Sequence, residues 1–158
     1  MTVLGIAGTP RKGGNSELLL NAALEPFAEA KWDIRRILLS KSRIEPCVGC
    51  ETCVERNTCF IEDDMSKVYD AFAECDAIII SAPSYWRNVP AQLKALFDRT
   101  FAVRDNKPLH GKFGGAISVG RATAGGGQSI VINIIYNFLS FSRCVMCSRG
   151  TKRRNGIC

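Results

Sequence analysis

An α/β fold, with helices on both faces of a doubly wound parallel sheet, is what this chain predicts. Three observations carry the prediction. Short apolar runs alternate with longer segments of helical period. The run Ala77–Ala82 holds Ile78, Ile79 and Ile80 in a row and reads as a strand buried on both faces. Strand–helix alternation of this kind gives a parallel sheet between two helical layers.

The elements follow in order. Val3–Ala7 is a short apolar run ending at Gly8, hence a buried strand. Ser16–Ala30 is apolar at Leu18, Leu19, Ala22, Ala23 and Phe27, with Glu17 in its first turn, and predicts a helix. Pro26 lies inside it and is expected to kink or shorten it. Asp33–Leu39 predicts the second strand, and a cysteine-rich irregular insertion, 44–62, follows. Asp63 or Asp64 is placed to cap a helix running to Glu74. After the isoleucine strand, Pro90–Arg99 predicts a helix with proline at its start, where a missing N–H costs nothing. Phe113–Val119 reads as a strand, Gln128–Phe141 as a helix and Arg143–Cys147 as a last strand.

The 158 residues predict one domain, 1–158, with enough apolar content, 46%, to bury a core. The opening MTVLGIAGTPRKGG has no charged segment ahead of a long apolar run, so neither a signal peptide nor an anchor is expected. Gln128–Phe141 is too short to span a bilayer, which needs about 20 apolar residues. A cytoplasmic chain without a membrane partner is the expectation, and there clustered cysteines point to metal or redox chemistry. The formal charge of +6 is uneven: residues 1–105 carry 13 basic and 15 acidic residues, residues 106–158 carry 8 basic and none acidic. The basic tail 148–158 holds Lys152, Arg153 and Arg154. No groove-reading motif accompanies this charge, so an anionic cofactor is favoured over nucleic acid.

Ligands of such sheets sit at the carboxyl ends of the strands, which directs attention to loops 8–16, 83–89 and 120–127. In the first, glycines permit a tight backbone, the following helix offers its N-terminus, and Thr9, Arg11, Lys12, Gly14, Asn15 and Ser16 surround it with donors. This predicts a phosphate-binding loop. It is not a P-loop, because Gly14-Asn15 follows Gly13 where Lys-Ser/Thr is required. It also lacks the dinucleotide fingerprint G-x-G-x-x-G. In the second loop Pro83, Ser84, Tyr85, Trp86, Asn88 and Val89 are candidates to line a flat ring, although Trp86 equally suits a core or interface position. In the third, Gly120 opens a glycine-rich stretch that permits close approach of a ligand or a neighbouring subunit.

The densest motif is Cys47-x2-Cys50-x2-Cys53-x5-Cys59. Its first three cysteines share the spacing of bacterial ferredoxins, whose fourth ligand is more distant. Structural zinc sites usually pair two knuckles across a gap of ~12–20 residues. Disulfides suit a reducing compartment badly. A [4Fe–4S] cluster is favoured, with zinc and redox disulfides left open. Cys75 reads as core, Cys144 and Cys147 as strand residues or a second thiol pair, and Cys158 as terminal. The single histidine, His110, reads as a turn residue, and Asp98 and Arg99 as structural.

Taken together, GIAGTPRKGGNS at 5–16, SAPSYWRNVPAQLKALFDR at 81–99 and GGGQ at 125–128 resemble the flavodoxin-like NADPH-dependent FMN reductase family. With the cysteine run between the second strand and second helix, the chain resembles its iron–sulfur flavoprotein branch over about residues 1–140. The resemblance implies a three-layer α/β/α fold with strand order 2-1-3-4-5, non-covalent FMN, a [4Fe–4S] cluster and electron transfer between them. It implies that Thr9, Arg11, Asn15 and Ser16 hold the phosphate, and that Pro83 through Val89 line the isoalloxazine. Thr9 and Ser84 replace the family's usual Ser and Val. A flavodoxin-like domain adds a final helix that SRGTKRRNGIC does not resemble, so a shortened C-terminus is expected. The helix QSIVINIIYNFLSF reads as apolar around its circumference, which predicts a homodimer or homotetramer. A one-electron carrier such as ferredoxin and NAD(P)H are the expected redox partners. The alternatives are an NAD(P)H-dependent flavin or quinone reductase whose cysteines hold zinc or form a thiol switch, and a non-catalytic FMN- or metal-binding regulator.

Overall fold

The structure is a computed structural model that describes residues 1–121 and 126–146. Five strands, β1 (Thr2–Ala7), β2 (Asp33–Leu38), β3 (Ala77–Pro83), β4 (Phe113–Val119) and β5 (Val145–Met146), form one sheet. Its order is β2-β1-β3-β4-β5 and every pairing is parallel. The helices are α1 (Asn15–Glu29), α2 (Thr52–Arg56), α3 (Met65–Glu74), α4 (Ala91–Arg99) and α5 (Gln128–Phe141), and a 3-10 turn, Thr100–Val103, extends α4. The predicted α/β class and strand order are those observed.

Strand alternation divides the core into two layers. Leu4 and Ile6 of β1, with Ile78 and Ile80 of β3, pack against Val68 and Phe72 of α3, Leu93 and Leu96 of α4, and Val131 and Ile135 of α5. Val3, Ala7 and Ala77 face the other way, onto Leu20 and Leu24 of α1. Among the described residues α1 is the only helix on that face, and Phe113 and Val145 are partly exposed, at 45% and 40%. No helix among the described residues is long and apolar enough to cross a membrane.

Three expectations are corrected. Pro26 does not end helix α1, which runs on to Glu29, and the Pro26 carbonyl accepts the Ala30 N–H at 3.1 Å. The final strand contracts from Arg143–Cys147 to Val145–Met146, with Arg143 in a left-handed turn at φ 59°. Helix α5 is not apolar all round: Ser129, Asn133, Asn137 and Ser140 fall on one exposed stripe, opposite buried Val131, Ile135 and Leu139. This helix therefore supplies no argument for a subunit interface. Thr123, Ala124, Gly125, Cys147, Lys152, Arg153, Arg154 and Cys158 lie outside the described residues, as does the tail 148–158.

Candidate functional site

The loop after β1 is built to seat an anion. Gly8 leaves the sheet with its N–H on the Ser81 carbonyl at 2.7 Å. Thr9 is buried, and its Oγ1 accepts the Arg11 N–H at 3.2 Å, which turns the chain. Gly13 takes φ +63°, a conformation that glycine adopts freely. Gly14 caps α1, its carbonyl accepting the N–H groups of Glu17 and Leu18 at 2.8 and 3.1 Å. The N–H groups of Asn15 and Ser16 open the helix and have no intrahelical acceptor. One anion already tests the loop: the Glu17 carboxylate accepts the Gly13 N–H at 2.9 Å. Arg11, Lys12 and Asn15 are exposed around it, while buried Ser16 holds the helix start to β3 by accepting the Ser81 hydroxyl at 2.8 Å.

The loop after β3 stands at the same end of the sheet. Its tip is a two-residue hairpin: the N–H of Tyr85 donates to Asn88 and the N–H of Asn88 to Tyr85, both at 2.9 Å. Trp86 and Arg87 form the tip with φ 48° and 58°. Such turns favour Asn-Gly, because both positions need left-handed backbone, so Trp-Arg holds this shape against its own preference. Trp86 is fully exposed, which settles its position: it is not core. Tyr85 is 41% exposed, whereas Val89 is 6% exposed and belongs to the apolar core. Asn88 turns back to accept the Val89 N–H at 2.8 Å. Pro83 ends β3 half-buried. The Ser84 hydroxyl is buried and has no hydrogen-bond partner, which leaves a donor and an acceptor at the base of the hairpin.

The third loop closes on the second. Gly127, at φ +84°, lies so near the hairpin that an added Cβ would sit 2.5 Å from Ser84 Oγ and 2.7 Å from Arg87 Cα. A Cβ on Gly120 would overlap the Gln128 side chain. Both glycines thus permit close packing within this chain. A cradle of backbone donors, an unsatisfied hydroxyl and an exposed aromatic tip fits FMN, whose phosphate needs N–H donors and whose ring has polar edges.

The cysteine segment lies elsewhere. Cys47 and Cys50 are exposed, Cys53 and Cys59 half-buried, and all four thiols are free. Left-handed residues Gly49, Glu51 and Asn57 curl the chain around α2. Hydrogen bonding to the Thr52 side chain and backbone holds the Cys50 thiol below the usual range. The four match a [4Fe–4S] cluster in donor type and number. They are not gathered: among the described residues, no three His, Cys, Asp or Glu side chains are arranged to hold a metal ion.

What fixes the segment is Arg99, whose side chain is 1% exposed. Its Nη1 donates to Asp63 Oδ2 and the Glu45 carbonyl, both at 2.9 Å, and its Nη2 to Asp63 Oδ1 and the Ile61 carbonyl, both at 3.2 Å. Glu45 and Ile61 lie two residues outside Cys47 and Cys59, so one guanidinium clasps both ends of the insertion. Asp63 also accepts the N–H groups of Glu45 and Met65 at 2.8 and 3.0 Å. Burial pushes its carboxyl up, but Arg99 and these N–H groups together hold it below the usual carboxylate range. Tyr69 donates to the Arg99 carbonyl at 2.8 Å, and burial pushes its phenol up to about 12. Sequence reading placed Arg99 as structural but missed this clasp, since its partners lie 36 to 54 residues away. The clasp sits at the far end of α4 from the hairpin, about 13 Å along the helix at about 1.5 Å per residue.

Comparison with known proteins agrees with this geometry. The family profile of the NADPH-dependent FMN reductases matches residues 1–145. An iron-sulfur flavoprotein of Methanosarcina thermophila is 41% identical over 140 residues, 88% of this chain and 73% of that protein. An iron-sulfur flavoprotein of Methanocaldococcus jannaschii is 41% identical over 138 residues, 87% of this chain and 71% of its own length. Among solved structures, FerB of Paracoccus denitrificans, a flavoenzyme NAD(P)H:(acceptor) oxidoreductase, superposes with TM-score 0.71 at 19% identity, covering 95% of this chain and 76% of its own. That likeness shows a shared flavodoxin-like fold. The sheet order, the match over residues 1–145 and the 41% identity to two iron-sulfur flavoproteins make this chain a member of the NADPH-dependent FMN reductase family of oxidoreductases, in its iron–sulfur flavoprotein branch.

Proposed function

We propose that this chain is an electron-transfer flavoprotein that couples one-electron carriers of the ferredoxin type to two-electron chemistry. FMN exchanges electrons singly or in pairs and a [4Fe–4S] cluster exchanges them singly, so a protein holding both couples the two kinds of partner. The observation that carries the flavin half is the set of backbone donors in loop 8–16, together with the unsatisfied hydroxyl of Ser84 in the loop after β3. The backbone of Gly13 through Ser16 would hold the phosphate, with Thr9 fixing the turn and Arg11 and Lys12 adding charge. The hairpin 84–88 would meet the ring. The cluster half rests on four free thiols, Cys47, Cys50, Cys53 and Cys59, in a segment clasped at both ends, together with the relatives' names.

The deciding measurement is an anaerobic visible spectrum with iron and acid-labile sulfide counts. Four irons and one flavin per chain are expected. Flavin without iron would overturn the coupling role and favour an NAD(P)H-dependent flavin reductase with a thiol switch. A second experiment isolates the phosphate loop. Glu17→Gln removes a carboxylate that competes for the Gly13 N–H and is expected to tighten FMN binding about two- to fivefold at low salt, the scale of one charge at a helix N-terminus. Fluorescence titration measures it, and riboflavin, which has no phosphate, is expected to bind both forms alike.

A further inference from the structure

By the amino ends of β4 and β5 lies a cavity of about 980 Å³ that neither the anion loop nor the hairpin touches. Phe72 of α3, Phe97 of α4 and Phe138 of α5 form its apolar part. Phe97 and Phe138 are stacked, with ring centroids 4.1 Å apart. Phe101 adds a fourth ring beneath the Arg104 guanidinium, 4.2 Å from the ring centroid. The volume is at the upper end of the ~300–1,000 Å³ range of small-molecule sites, which combine apolar walls with a few placed polar groups.

The charges at its rim are unequal. Asp98 is paired with Lys94 at 2.5 Å, and Asp105 with Arg104 at 3.4 Å. Lys107 and Arg143, which also line the cavity, have no carboxylate partner among the described residues. Both hold left-handed backbone, with φ 45° and 59°. The two turns are joined, since the Gly111 N–H donates to the Arg143 carbonyl at 3.0 Å and the His110 N–H to the Lys107 carbonyl at 3.0 Å. Backbone that disfavours its own side chain persists where the surroundings over-determine it, and it gathers at functional sites. Here it sets two cations, unpaired among the described residues, at the mouth of an aromatic cavity. Cys47 and Gly49 close another side, so an occupant would lie against the cysteine segment.

We propose that this cavity is a second ligand site, distinct from the flavin loops, which takes a flat aromatic anion with its ring on the phenylalanines and its acidic group between Lys107 and Arg143. The proposal does not depend on the flavin reading. The test is calorimetric titration of the chain saturated with FMN, so that the anion loop is filled, using 2-naphthoate and its uncharged analogue 2-naphthalenemethanol at low salt. One site is expected, with the acid bound at least tenfold more tightly. In the double variant Lys107→Gly/Arg143→Gly, glycine relaxes both left-handed positions, so the melting temperature is expected to hold or rise while the acid loses its advantage. Lys107→Asn/Arg143→Asn, whose side chains tolerate the same backbone, is expected to behave alike and guards against a folding defect in the first variant. Equal binding of acid and alcohol, no binding of either, or a tenfold preference surviving in both double variants would overturn the proposal.

Discussion

Replacing Arg99 with methionine is expected to destabilise the fold by about 3–5 kcal/mol, the usual cost of leaving one member of a buried ion pair without its partner. The stranded group is the Asp63 carboxylate, 1% exposed like the guanidinium it faces. Two carbonyls, of Glu45 and Ile61, lose their donor at the same time. Urea unfolding measures the loss. The double variant Arg99→Met/Asp63→Leu is expected to recover most of it, because no lone charge then remains buried. Arg99→Lys is expected to fall between, since an ammonium cannot reproduce the fork that meets both Asp63 oxygens. Iron bound after reconstitution should follow the same order if the clasp sets the geometry of the cysteine segment. Unchanged stability in the single variant would refute the clasp.

The same pair fixes the acid limb of stability. The folded carboxyl of Asp63 is held below its unfolded value. Its contribution is therefore fully present above the unfolded value of about 4 and is lost as pH falls through the folded value. In Arg99→Met the guanidinium no longer offsets burial, so the variant's deficit relative to the parent is expected to be largest near neutral pH and to shrink as acid protonates the Asp63 carboxyl, measured by urea unfolding at several pH values.

Gly127→Ala is expected to be the most damaging single methyl at the carboxyl end of the sheet. A left-handed φ of +84° costs a non-glycine residue about 1–2 kcal/mol. The new Cβ would also stand 2.7 Å from the backbone of Arg87, which has no flexible end to swing away. The hairpin must shift, and Ser84 and Tyr85 shift with it. FMN affinity is expected to fall at least about tenfold, equivalent to about 1.4 kcal/mol. Titration with FMN measures this, and riboflavin should suffer as much if the hairpin meets the ring as proposed. A loss confined to FMN would place the effect at the phosphate and contradict the packing argument.

Most of this fold was legible because its signals are local. Ile78–Ile80, Pro90 ahead of a helix, and the glycines after β1 each announce an element within a few residues, and Phe113–Val119 and Gln128–Phe141 emerged with the boundaries read from sequence. The polar stripe of α5 was equally visible, as Ser129, Asn133, Asn137 and Ser140 recur at steps of four, four and three. Counting apolar residues concealed what their angular placement showed. Arg99 was not legible in the same way. An arginine ending a helix is ordinarily solvated, and only the chain's return at Glu45, Ile61 and Asp63 buries it. The hairpin tip was hidden for a different reason: Trp-Arg carries none of the turn preference that Asn-Gly would, so nothing local announced a left-handed pair. The thiols were conspicuous in sequence and remain ungathered in the fold.

The clasp also bears on the entropy of the insertion. Glu45 and Ile61 are held by one side chain, so the seventeen residues from one to the other form a loop closed by the protein's own arginine. Loop closure is a cost that rises slowly with length and falls mainly on whichever contact first joins the ends. Here the domain core carries that cost through α4. Any gathering of the four thiols would then have only to rearrange a segment already tethered at both ends.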